Sequence, residues 1–283
     1  RIMNKIIFIA DFFADEVPGG GELNNQQLIQ ILRKRGVDVL EIKSQNVSRQ
    51  FLQEQDKDTK FIIANFIGLT EENKSVLKLE KEYIIYEHDH KYVKTRNPAD
   101  YKDFIAPKDQ IINFQFYKNS KAILCQSDFH ANIVRANLNL DNIKSVGGNL
   151  WSHDILDFMY KISLNKKQAT CAIMSSDNWH KNTPDAIRLC KIKGWKYDLI
   201  PQSDYQDFLT RLGKSKKFVF LPKTPETLSR IVVEARMMGL SVITNNLVGA
   251  TKEEWFKLKG IELIDIMVGK RKEIPDLVQK VLQ

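Results

Sequence analysis

Glu226 and Glu234 stand with seven residues between them in the segment Pro222-Lys223-Thr224-Pro225-Glu226-Thr227-Leu228-Ser229-Arg230-Ile231-Val232-Val233-Glu234. A carboxylate only accepts hydrogen bonds and can take two at once, which suits it to a pair of neighbouring hydroxyls. Taken alone, each glutamate would pass for an ordinary solvated helix residue. A second candidate is His88 in His88-Asp89-His90. It admits a structural histidine bonded to its neighbours or a metal pair; no third ligand at suitable spacing supports the latter. The third is Gly19-Gly20-Gly21, ahead of a helical pattern, where bare backbone amides could approach an anion. It matches neither the G-x-G-x-x-G nor the Walker A pattern, and its functional reading is a flexible active-site turn. Asp56-Lys57-Asp58 is formally a D-x-D string, but it precedes its strand among other charges and reads as a solvated turn.

These residues hang on alternating strands and helices. Apolar runs at 5–10, 37–42, 61–66, 83–86 and 122–125 read as strands, with helices at 22–35 and 128–138. Residues 151–167 are more polar and read as a connection between two halves. The alternation then restarts with strands at 169–174, 195–200 and 218–221 and helices at 184–193 and 205–212. Thr227 reads as the N-cap of a helix carrying Leu228, Ile231, Val232, Ala235 and Met238, closed by Gly239. Strands at 241–244 and 261–266 and an amphipathic helix through Ile274, Val278 and Leu282 end the chain. Strands alternating with helices imply parallel sheets covered on both faces, whose ligands bind at strand-end loops.

With 283 residues, the chain can hold one large domain or two ordinary ones. A hydrophobic content of 43% with 28% charged residues is that of a soluble globular protein, and no run of about 18 apolar residues suggests a membrane span. A strand that starts at once leaves no room for a signal peptide, although a chain beginning at Arg1 gives its first residues little weight. Cys125, Cys171 and Cys190 lack metal spacing and read as buried free thiols in a reducing, cytoplasmic setting. The net charge of +8 suits a phosphate-rich ligand, an anionic membrane surface or nucleic acid, yet the lysines are scattered rather than gathered in a tail. Trp151, Trp179 and Tyr86 could stack on a base or sugar, though aromatics more often fill cores.

Glu226-x7-Glu234, followed by Ala235 and Gly239-Leu240-Ser241-Val242-Ile243, resembles the E-x7-E signature of retaining GT-B glycosyltransferases of the GT4 type. The likeness runs along the chain in order. Gly19-Gly20-Gly21-Glu22 with Arg35-Gly36-Val37-Asp38-Val39 resembles the family's N-terminal region, Ile84 to Asp89 the strand end bearing its active-site histidine, and Ala122 to Ser127 the strand and serine before an interdomain helix. The chain departs from the pattern at Ser229-Arg230, where the family often has glycine. It departs again at residues 175–182, where Lys181 stands without the arginine of the usual phosphate clamp.

The resemblance implies an α/β GT-B fold, two Rossmann-like doubly wound domains facing across a cleft: an acceptor-side domain at 1–155 and a nucleotide-sugar domain at 156–283. It implies transfer of a sugar from a nucleotide-diphosphate donor to an acceptor hydroxyl with retention, without a metal or other cofactor. His88, at the sugar with Asp89 to orient its ring, and Glu226 are then the catalytic candidates. Lys181, Glu234, Arg230, Thr227, Leu228 and Ser229 would bind the donor, with Gly19, Gly20 and Gly21 as the acceptor or phosphate loop. The expected partners are a nucleotide sugar and a glycan or lipid-linked acceptor, at the cytoplasmic side with peripheral contact at the inner membrane face as one variant. Glycosylation of modified DNA bases, as in some phage enzymes, and an inactive nucleotide- or nucleic-acid-binding module are the alternatives.

Overall fold

The computed structural model describes residues 5–283; Arg1 lies outside the described residues. The chain forms two compact units, one made of the residues up to Trp151 together with Lys270–Gln283, the other of Ser152–Gly269.

In the first unit the order is β1 (Lys5–Ala10), α1 (Gly20–Lys34), β2 (Asp38–Lys43), α2 (Arg49–Glu54), β3 (Lys60–Ile63), α3 (Glu71–Glu80), β4 (Glu82–Tyr86), α4 (Phe114–Asn119), β5 (Ile123–Cys125), α5 (Asp128–Leu138) and β6 (Ile143–Ser145). The sheet runs β2-β1-β3-β4-β5-β6 and every pairing is parallel. Both faces are covered, which explains the unbroken apolar strands. Alternate residues divide between two cores: Ile7, Ile9, Phe61, Ile63 and Ile85 on one face, and Ile6, Phe8, Ala10, Ile62 and Ile84 on the other.

The second unit contains α6 (His153–Ser163), β7 (Gln168–Met174), α7 (Thr183–Lys193), β8 (Tyr197–Ile200), α8 (Tyr205–Leu212), β9 (Ser215–Val219), α9 (Arg230–Met237) and β10 (Ser241–Ile243), then the start of α10 (Ile261–Leu282). Its sheet runs β10-β9-β7-β8, again all parallel.

Three sequence expectations change. Residues 261–266 are the first turns of α10 rather than a strand. Leu263, Ile264 and Met267 are buried at helical spacing, but a six-residue apolar window cannot distinguish that period from a strand's. Residues 270–283, placed with the C-terminal domain in the sequence reading, belong to the first unit, because Ile274, Val278 and Leu282 bury themselves against Ile6, Phe8 and Leu28. The stretch 151–167 is largely α6, capped by Ser152 and burying Leu156, Met159 and Ile162. No described helix is long and apolar enough to cross a membrane.

Candidate functional site

In the second unit the C-terminal strand ends carry the expected residues. Residues 175–182 leave β7 and are stitched down by Thr183. Its hydroxyl donates to the Met174 carbonyl at 2.8 Å and accepts from the Ser176 amide at 3.1 Å. Asn182, in the left-handed region at φ 56°, donates to the Leu221 carbonyl, and the Lys223 amide donates to the His180 carbonyl. The loop after β7 is thereby tied to the segment after β9. Lys181 consequently reaches Glu226, its ammonium 2.8 Å from Oε1, with the two side chains 33% and 17% exposed. The same ammonium lies 5.8 Å from the Phe220 ring centroid.

Glu226 is fixed through its backbone. Its amide donates to the Leu247 carbonyl at 2.7 Å, its carbonyl accepts from Gly249, and the Leu228 carbonyl accepts from Ala250. This extended bridge moves the helix start: the expected N-cap at Thr227 is replaced by Ser229, and α9 begins at Arg230. Ser229 has φ 73°, a backbone region that favours glycine and is strained for other residues. The departure noted at Ser229-Arg230 thus includes a left-handed position. Leu228 points into the core, whereas Thr227, Ser229 and Arg230 remain half-buried.

Glu234, on α9, is 5% exposed, and its Oε2 accepts a hydrogen bond from the Tyr205 hydroxyl. Burial, then the Glu234 charge, pushes the Tyr205 phenol far above its ordinary value, against the opposing pull of the nearby Arg230 guanidinium. Tyr205 was not among the residues singled out from sequence. At the head of an amphipathic helix it carries no signal separating it from a packing aromatic. A cavity of about 650 Å³, lined by Trp195, Lys196, Lys216 and Lys217, opens at the opposite, N-terminal strand ends of this sheet and touches none of these groups.

In the first unit, Gly19 caps α1, and Gly20 and Gly21 form its first turn, so the triple glycine is a helix start rather than a flexible turn. The Leu23 amide already bonds the Gly19 carbonyl at 2.9 Å. A Cβ on Gly21 would meet the His88 ring at 3.5 Å, which is ordinary contact, so this helix start lies beside the imidazole and the approach does not require glycine. His88 Nε2 lies 2.7 Å from Asn25 Oδ1, and the ring packs on Tyr86 with centroids 4.8 Å apart. Asn24 donates to the Tyr86 hydroxyl at 2.7 Å. Both asparagines are buried, and neither was picked from sequence. Their signal was an amide four residues before each of Leu28 and Ile29, on the buried stripe of a helix.

Asp89 does not serve His88. Its carboxylate takes Lys91 at 2.6 Å and the Arg96 guanidinium. Lys91 and Glu87 are fully buried and paired with each other, and the Tyr117 hydroxyl donates to Glu87. Burial pushes the Glu87 carboxyl up to about 7 against the attraction of Lys91. Burial also acts to raise Asp89, but Lys91, a bond to Glu87 and Arg96 together hold it well below the usual carboxylate range. His90 is buried with Nδ1 2.7 Å from the Tyr92 hydroxyl, so the His88-Asp89-His90 triplet does not converge as a metal pair. Among the described residues no group of three or more potential metal-ligating side chains gathers. Trp151 and Tyr86 are core residues, Trp179 is exposed, and Asp56 to Asp58 form an exposed turn.

No family model matches the chain, and no curated protein matches it by sequence. Solved structures do resemble it. HepE of Anabaena in complex with UDP and glucose is 12% identical with a TM-score of 0.54, over 99% of this chain and 93% of that one. A glycosyltransferase of Rickettsia africae ESF-5 gives the same values. A UDP-forming α,α-trehalose-phosphate synthase of Burkholderia vietnamiensis is 8% identical with a TM-score of 0.57, over 98% and 95%. At such identities the likeness concerns the fold, and it spans nearly the full length of each partner. The chain has the α/β GT-B fold of these glycosyltransferases, with one parallel sheet in each of its two units.

Proposed function

We propose that this protein is a retaining glycosyltransferase that transfers a sugar from a nucleotide-diphosphate donor to an acceptor hydroxyl on a glycan or lipid-linked saccharide. The observation that carries this reading is a pair of contacts at the C-terminal strand ends of one parallel sheet: Lys181 on Glu226 and Tyr205 on Glu234. They gather a cation and two oriented carboxylates where open α/β sheets bind ligands. HepE was solved with UDP and glucose and the trehalose-phosphate synthase is UDP-forming, which makes a UDP-sugar the first donor to try.

In this reading Glu234 accepts the ribose hydroxyls. The Lys181 ammonium and the first amides of α9, which have no intrahelical acceptor, face the diphosphate, with Arg230 beside them. Backbone groups of Thr227 to Ser229 line the donor between the two glutamates. Glu226 holds sugar hydroxyls on the same side as Lys181. The bond from the anomeric carbon to the diphosphate oxygen breaks as the acceptor oxygen bonds that carbon from the same face. The acceptor proton passes to the departing phosphate oxygen, whose growing charge Lys181 stabilises. His88, whose Nε2–H donates to Asn25 Oδ1, is the remaining catalytic candidate, next to the helix start at Gly19 to Gly21.

Replacing Glu234 with Ala is expected to weaken UDP-sugar binding about tenfold or more, the scale of a lost charged hydrogen bond. Replacing His88 with Ala is expected to lower turnover while leaving donor affinity nearly unchanged. Calorimetric donor titration and initial rates check both. Unaltered affinity in the first variant would remove Glu234 from the donor site, and undiminished turnover in the second would remove His88 from the chemistry.

A further inference from the structure

Tyr205 opens α8, directly after the loop that leaves β8, and its hydroxyl donates to Glu234 Oε2. Glu234 sits at 5% exposure on the helix that follows β9, so the phenol joins the helices that follow the two strands flanking β7 through one carboxylate oxygen. A glutamate side chain has three rotatable bonds and loses substantial rotamer freedom when held. A carboxylate that must accept two neighbouring hydroxyls together needs its plane set in advance. The phenol hydroxyl supplies that constraint from a rigid ring with only two side-chain torsions. The Arg230 guanidinium lies by the same phenol, one helical turn before Glu234.

We propose that Tyr205 is a positioning and specificity-determining residue that orients Glu234 toward the ribose diol, making the site selective for ribonucleotides over 2′-deoxyribonucleotides. This rests on the donor reading above. A tyrosine whose hydroxyl only satisfied a buried acceptor would affect stability, whereas one that orients Glu234 affects discrimination at the 2′ position.

The test is calorimetric titration of the full chain with UDP and with 2′-deoxy-UDP, in wild type, Tyr205→Phe, Glu234→Gln and the double variant. Wild type is expected to prefer UDP by about tenfold or more, the scale of a hydrogen bond to a charged group. In Tyr205→Phe the preference should fall to within about threefold. The loss should be larger in UDP affinity than in 2′-deoxy-UDP affinity, with an unchanged circular dichroism spectrum as the control for a folded protein. The double variant should discriminate no less than Glu234→Gln alone, since both changes act through one carboxylate. A Tyr205→Phe protein that keeps the wild-type preference overturns the proposal and leaves the donor reading intact. A wild type that binds none of UDP, GDP or ADP overturns the donor reading, and this proposal with it.

Discussion

Ser229 shows at the scale of one residue how the site is held. The bridge from Glu226 to residues 247–250 keeps the chain extended through Leu228, and α9 must then begin abruptly. The turn between them is made at φ 73° by a residue with a Cβ. Such conformations cost on the order of 1–3 kcal/mol for a non-glycine residue and persist where surrounding contacts impose them. Glycine would relieve the strain but lose more entropy on folding, an offset of roughly 0.5–1 kcal/mol. Ser229→Gly is therefore expected to stabilise the protein by about 1 kcal/mol. The measurement is the urea unfolding midpoint, and a lower midpoint would mean that the serine is not strained. Tyr205 and Asn25 belong to the same scale. Each is a neutral group touching an expected functional side chain, Glu234 or His88.

At the scale of elements, the segment after β4 is anchored by charge rather than by packing alone. Lys91 lies between Glu87 and Asp89, and Asp89 also holds Arg96. Removing one member of a buried ion pair leaves an uncompensated charge and costs about 3–5 kcal/mol. Lys91→Met is expected to destabilise the protein by that amount, and Lys91→Met with Glu87→Gln to recover part of the loss. Equilibrium unfolding decides between this and a pair that contributes nothing, in which the single variant would unfold like wild type. A second dependence comes from α5. His130 Nδ1 accepts from the Gln126 amide at 3.0 Å and Nε2 faces the Asp89 carbonyl at 2.9 Å, an arrangement that fits the neutral ring. Burial lowers His130 from 6.5 to about 4, and burial followed by the neighbouring His130 lowers His90 as well. Between those values the unfolded chain binds the proton that the folded one excludes, so stability falls as pH drops from 6.5 toward 4. At pH 5, 1.5 pH units below 6.5, His130 accounts for about 2 kcal/mol of that loss. Urea titrations at pH 7 and pH 5 check it, and equal stabilities would contradict it.

Long periodic elements were legible in the sequence: the expected helix at 128–138 coincides with α5, and the strand cores of β1, β4 and β7 fall where apolar runs lie. Residues 261–266 misled because six apolar-rich positions suit either period, and α6 was missed because its polar residues read as a connection, although Leu156, Met159 and Ile162 recur at helical spacing. The contact of Lys181 with Glu226 joins residues 45 positions apart, and Tyr205 is 29 from Glu234. Such pairings follow from the order β10-β9-β7-β8, which sequence spacing does not encode.

For the whole molecule, the net charge of +8 is spread over two α/β units, and its sign agrees with a doubly charged diphosphate ligand without selecting one. The second unit is proposed to bind a nucleotide-sugar donor. A ligand that binds only the folded state raises apparent stability in proportion to the logarithm of its concentration over its dissociation constant. The most direct measurement is the thermal unfolding midpoint of the full chain against a panel of UDP-, GDP- and ADP-sugars, with the free sugars and nucleosides as controls. One nucleotide-sugar class is predicted to raise the midpoint in a concentration-dependent way that Glu234→Ala abolishes, while free sugar and nucleoside have no effect. A midpoint unmoved by every donor, or raised equally in wild type and Glu234→Ala, would contradict the account.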